Sequence, residues 1–137
     1  VKCFKTSDGR QEWCLNGEWH RRDGPAVIGA EGTQEWWLNG KLHREDGPAI
    51  VESDGTQQWC RNGEWHRSDG PAIVEPDGTQ EWWLNGKMHR TDGPAVTGPN
   101  VSQEWYLNGQ HYNLDSWLEE NTELSQEEKI WFKLKYA

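Results

Sequence analysis

Histidine, aspartate and cysteine residues at repeated positions are the first places in this chain where chemistry could reside. His20, His43, His66 and His89 stand 23 residues apart. Imidazoles in series suggest zinc, but zinc needs ligands converging on one point at about 2.0–2.1 Å. A regular series instead sets neighbouring rings a full repeat apart. Each His is therefore expected to pack on a Trp, with its other nitrogen hydrogen-bonded. Asp23, Asp46, Asp69 and Asp92 share the period, each alone in Asp-Gly-Pro-Ala and without the dense oxygen donors of a calcium loop. A turn-stabilising role is expected for them. Cys3 and Cys14 fall opposite each other in the register derived below, where a cross-strand disulfide is geometrically demanding. Cys3 aligns with Ala26, Ala49 and Ala72, so a small filler residue is the simpler expectation, and Cys60 has no Cys opposite. No nucleophile elbow, phosphate loop or zincin motif occurs. The chain reads as non-enzymatic, with no catalytic residue, no metal and no cofactor.

Aromatic residues offer a different chemistry. Trp19, Trp37, Trp65 and Trp83 occupy alternating strands along the array. Exposed, they form a stripe able to hold a protein segment, sugar rings or a base. Buried, they are core in a chain short of other apolar material. Both readings stand at this point, and these four residues are the candidate partner- or ligand-binding set.

The elements that position these residues follow from a repeat. Trp13, Trp36, Trp59, Trp82 and Trp105 are spaced by 23 residues, and Asn-Gly follows each at one offset, from Asn16-Gly17 to Asn108-Gly109. Asn-Gly between alternating segments is a strong hairpin signal, because a type I′ turn needs positive φ at both central residues. A second turn is expected at Asp8-Gly9, Glu31-Gly32, Asp54-Gly55 and Asp77-Gly78. Each unit then reads as three antiparallel strands, for example Ala49–Ser53, Thr56–Arg61 and Glu64–Arg67. Two-residue turns throughout would align Phe4–Trp13–His20, Val27–Trp36–His43 and their equivalents as three-strand rungs. The same register sets Cys14 against Trp19, Trp37 against Leu42, Cys60 against Trp65 and Trp83 against Met88. It also sets Glu12 against Arg21, Glu35 against Arg44 and Glu81 against Arg90.

Residues 113–137 break the period and read as helix. Leu114-Asp115-Ser116-Trp117-Leu118 forms one segment, and Ser125 with Glu128 has capping-box spacing at the start of another. Ile130, Trp131 and Leu134, with Phe132 as a further candidate, are expected to give the second helix its apolar side. A stacked array must cover its last open edge, and this tail is the expected lid. The fold class is thus mainly β: tandem hairpin repeats over residues 1–112, forming a meander or solenoid, with a short helical cap over residues 113–137.

Composition narrows the partners. The hydrophobic fraction is 33%, yet Trp supplies 11 residues against 3 Tyr and 2 Phe. Indole area must therefore replace aliphatic volume. A net charge of −9 argues against direct nucleic-acid binding and against anionic membranes. No apolar run approaches the ~20 residues of a membrane span, and no signal-peptide pattern opens the sequence at Val1. Three cysteines do not make a disulfide framework, which points to a reducing, cytoplasmic compartment.

Trp37-Leu38-Asn39-Gly40-Lys41-Leu42-His43 and its copy Trp83–His89 resemble the centre of the MORN repeat. The resemblance covers residues 1–112. His-Arg-x-Asp-Gly-Pro stands where MORN units carry His-Gly-x-Gly, and the second turn sits two positions later. The sequence is closer to the divergent Asn-Gly-Lys-x-His-Arg-x-Asp-Gly-Pro-Ala arrays of large phages and giant viruses. What the resemblance implies is a β-meander scaffold for protein–protein contact, and in a viral setting an inhibitor of a host enzyme acting in the host cytoplasm. The alternative is a small-ligand or glycan binder using the Trp stripe. Exposed array edges also leave homo-oligomers open.

Overall fold

The computed structural model describes residues 8–137 in full and, before them, the backbone of the strand Lys2–Lys5. It is mainly β, an antiparallel hairpin meander closed by two C-terminal helices. The Asn-Gly turns form as the sequence predicts. Asn16, Asn39, Asn62, Asn85 and Asn108 have φ of 49–53°, and the glycines that follow have φ of 74–83°. That is the type I′ geometry, so Trp37 pairs with Leu42, Cys60 with Trp65 and Trp83 with Met88 in the expected register.

The Asp-Gly hairpins differ by one residue. Gly32, Gly55 and Gly78 donate to the carbonyls of Gly29, Glu52 and Glu75, while Thr33, Thr56 and Thr79 accept from the same three residues. Three residues thus sit in each loop, with Gly at positive φ (99°, 97° and 93°) as the third. This is the three-residue hairpin with a glycine bulge, and it displaces every pair beyond it by one. Val27 therefore faces Glu35 rather than Trp36, and Phe4 faces Glu12 rather than Trp13.

The expected three-strand rungs do not form. In units two to four the second strand breaks at its Trp, whereas Gln11–Leu15 of the first unit runs on through Trp13. Gln34–Glu35 stays in the long meander, while Trp37–Leu38 diverges into the Asn-Gly hairpin with Lys41–Leu42. Trp36 joins the two parts by donating its backbone N–H to Ala49 of the next unit and accepting from the N–H of His43. Trp13, Trp59 and Trp82 make the same pair of bonds. Strands in the meander alternate within and between units, so Glu35 pairs with both Val27 and Ile50. With two strands per unit about 4.7–4.9 Å apart, the array advances about 10 Å per repeat. Ala26, Ala49, Ala72 and Ala95 are 0% exposed, and any larger side chain there would overpack the junction.

The tail closes the last unit. Asn113 caps helix α1 (Leu114–Glu120), and Ser125 with Glu128 forms the expected capping box on helix α2 (Gln126–Tyr136). Trp117 is 0% exposed and meets Trp105 at 4.6 Å between ring centroids and Phe132 at 5.3 Å. At about 25 cal/mol per Å², burying one indole contributes roughly 4–6 kcal/mol before chain entropy is counted. Trp117 Nε1 also donates to the carbonyl of Arg90, and the buried Asn121 amide donates to that of Thr91. The inward side of α2 is Phe132 with Tyr136. The expected apolar side is reversed: Ile130, Trp131 and Leu134 face outward.

Candidate functional site

Each His-Arg-x-Asp-Gly-Pro corner builds one clamp. The Arg21, Arg44 and Arg67 guanidinium carbons sit 4.0 Å from the ring centroids of Trp13, Trp36 and Trp59, and Arg90 sits 3.7 Å from Trp82. Each Arg then donates Nε to the Asp two residues on and Nη1 to the proline carbonyl four residues on. The fork geometry of a guanidinium is what allows one side chain to serve all three partners. A Cβ at Gly70 would come within 3.0 Å of Arg67 Cζ, so the glycine leaves room for the guanidinium. The expected Glu12–Arg21, Glu35–Arg44 and Glu81–Arg90 pairs are replaced by Arg–Asp pairs within the corner. The Asp residues are the turn-stabilising groups expected of them. Between corners lie hollows of about 620, 480 and 450 Å³, floored by Trp36, Trp59 and Trp82 with His43, His66 and His89 beside them.

The histidines bind units to one another. Nδ1 of His20, His43, His66 and His89 accepts the backbone N–H of Asn39, Asn62, Asn85 and Asn108 at 3.0–3.1 Å. An imidazolium has no lone pair for this bond, so the neutral ring with hydrogen on Nε2 is the form the array holds. Burial pushes the His89 pKa below its usual value, with Glu123 opposing that shift. Among the described residues no cluster of His, Cys, Asp and Glu is placed to hold a metal ion.

The cysteines depart from expectation at one position. Cys14 is disulfide-bonded, where the simpler expectation was no disulfide, and the side chain of Cys3, the expected filler, lies outside the described residues. The backbone register of Lys2–Lys5 carries an irregularity between Lys2 and Phe4, so the simple facing pair of the sequence argument does not hold. Cys60 is free and 3% exposed, and burial pushes its thiol up to about 11.

The four candidate tryptophans are brought together in two pairs. Trp19 meets Trp37 at 4.9 Å, and Trp65 meets Trp83 at 4.8 Å, tilted or edge-on. Each pair joins adjacent Asn-Gly hairpins, while Leu42 and Cys60 occupy the equivalent positions between the pairs. The aromatic stripe is thus neither core nor a bare platform. Trp19, Trp37 and Trp83 are half-buried, and Trp65 is 38% exposed. Indole N–H groups are taken within the chain: Trp37 donates to Glu35, Trp65 to Gln58 and Trp83 to Glu81. Ring faces and edges are what remain for a partner.

Beside Trp65 runs a groove of about 530 Å³ that the repeat pattern alone does not announce. Glu52, Asp54, Glu75, Asp77 and Glu81 line it with Trp65. The backbone N–H groups of Thr56 and Thr79 hold Asp54 and Asp77 below the usual carboxylate range, so both are anionic near neutrality. The available signal was the doubled acids in Glu52-Ser53-Asp54 and Glu75-Pro76-Asp77, absent from Gly29-Ala30-Glu31 and Gly98-Pro99-Asn100. Among the described residues no helix is long and apolar enough to cross a membrane. Comparison with known proteins returns no matching family model and no curated protein of significant similarity.

Proposed function

We propose that this chain is a non-enzymatic, MORN-like protein-binding scaffold that engages a basic segment of its partner along the Trp65 face. The observation carrying this reading is the exposed ring of Trp65 set against a carboxylate-lined groove on a regular, hydrogen-bonded array. Aromatic anchors with polar surrounds are the usual energetic centres of interfaces. Guanidinium and ammonium groups suit this lining twice, through the indole face and through the carboxylates. A net charge of −9 would also speed encounter with a basic partner. The resemblance to phage and giant-virus arrays suggests an inhibitor of a host protein as the biological form. The tilted Trp pairs, with the N–H groups of Trp37, Trp65 and Trp83 already used, favour this reading over a flat glycan-stacking platform.

The test compares wild type with Trp65→Ala and with Glu52→Gln/Glu75→Gln in affinity capture from host lysate and in titration with an Arg/Lys-rich peptide. Loss of an anchor worth about 2 kcal/mol reduces affinity roughly 30-fold. Equal capture by all three proteins, with circular dichroism unchanged, rules the face out.

A further inference from the structure

Helix α2 has a second apolar side that the array does not use. Ile130, Trp131 and Leu134 are 59%, 52% and 82% exposed. Steps of about 100° per residue place them on one stripe with Glu127, opposite the buried Phe132 and Tyr136. The other exposed large apolar residues among those described, Leu15, Trp65 and Val101, stand far apart in sequence and on other elements.

We propose that α2 is a self-association surface on which two copies of this chain pack antiparallel, with the twofold axis near Trp131. Three features select a second copy as the occupant. Charge is segregated along the exposed stripe and its margin, with Glu127 in the first turn and Lys135 in the last, while Lys129 lies on the opposite side, Lys133 pairs with Asp115 and Glu128 caps Ser125. Antiparallel packing sets acidic turn against basic turn at both ends, whereas parallel packing sets like on like. The surface is also self-complementary in shape. A hollow of about 390 Å³, with Leu124, Glu128, Trp131 and Phe132 in its lining, lies toward the start of α2. Leu134 protrudes from the other end of the helix, so the twofold brings each Leu134 to the hollow of its partner. The third feature is Lys135, whose ammonium lies 4.6 Å from its own Trp131 ring centroid, at the margin where the partner's first turn would arrive. A patch of a few hundred Å² per copy is at the small end of specific interfaces, so the pairing is concentration-dependent.

Sedimentation equilibrium on the full chain tests this. The average mass should climb from 15.9 kDa toward twice that value as concentration rises. Leu134→Glu should weaken association tenfold or more, and its exposure leaves folding intact, checked by circular dichroism. Glu127→Lys and Lys135→Glu should each weaken it alone, because each turns both opposite-charge contacts of the antiparallel pair into like-charge ones. An equimolar mixture of the two restores it, because the heterodimer again opposes unlike charges at both ends. A constant monomer mass, wild-type association by Leu134→Glu, or a mixture no better than either single variant overturns the proposal. Trp65→Ala leaves this association unchanged, which separates the result from that of the Trp65 face.

Discussion

Replacing Arg67 isolates the clamp that recurs in every corner. Its guanidinium carbon is 4.0 Å from the Trp59 ring centroid, Nη1 is 3.1 Å from the Pro71 carbonyl, and Nε is 3.0 Å from Asp69. These contacts differ in weight. A partly desolvated cation–π contact is worth about 1–2 kcal/mol. A charged donor on a backbone carbonyl adds about 1.5–3 kcal/mol. The ion pair is worth least, because the Asp69 side chain is 83% exposed against 26% for Arg67. Exposed pairs of this kind contribute about 0.2–1 kcal/mol. Since one geometry serves all three contacts, Arg67→Ala is expected to destabilise by about 2–4 kcal/mol and Asp69→Asn by less than ~1 kcal/mol. Arg67→Lys should fall close to the alanine variant, because an ammonium cannot face the ring and reach both acceptors. Urea unfolding followed by Trp fluorescence measures the series. If Asp69→Asn cost as much as Arg67→Ala, or Arg67→Lys were neutral, the ring and the carbonyl would not be the dominant partners.

Asn62 and Gly63 both hold positive φ, at 51° and 83°. Replacing the two with Ala-Ala should destabilise by about 2–4 kcal/mol in thermal unfolding. His89 gives a pH dependence whose sign follows from its lowered pKa. The unfolded chain takes up the proton first as pH falls through 6.5, so the contribution is full above that value and is lost below it. His89→Gln should therefore reduce, without abolishing, the stability lost between about pH 7.5 and about pH 5.5. An identical loss in both proteins would remove His89 from the account. Cys60, with a thiol pKa raised to about 11, should resist alkylation near pH 8 until the chain is unfolded.

What was legible in the sequence divides along local and non-local lines. Asn-Gly announces a type I′ turn in two residues, and the register between Trp37 and Leu42 followed from it. Ser125 and Glu128 announced their capping box in the same local way. Asp54-Gly55 fits either a two-residue turn or the end of a three-residue loop, and the choice moves every pair beyond it by one. Carrying the Asn-Gly register past Trp13 and His20 sent Arg21 to Glu12 on paper, although the hairpin ends there, with the Arg21 N–H on Trp37 of the next unit, and Asp23 stands two residues away in the chain. The break at Trp36 depends on Ala49 of the next unit accepting its N–H, which no single unit encodes. Helix α2 has apolar residues on two sides, and only packing against Trp105 decides that Phe132 turns inward. For the candidate site, the four tryptophans singled out by their period come together in two ring pairs. Their pairing, and the acidic groove beside Trp65, required the positions of neighbouring units.

The alternation of the tryptophan pairs sets the step in which such an array can lengthen or shorten. Hairpins one and three present Cys14–Trp19 and Cys60–Trp65, whereas two and four present Trp37–Leu42 and Trp83–Met88. Excising one 23-residue module from the middle would leave two hairpins of the same kind adjacent and set Leu42 against Trp83. Excising two brings Trp19 to Trp83 and regenerates an indole pair. Gene-level gain or loss of modules in this protein is therefore expected to be tolerated in even numbers, and the heritable unit is the doublet.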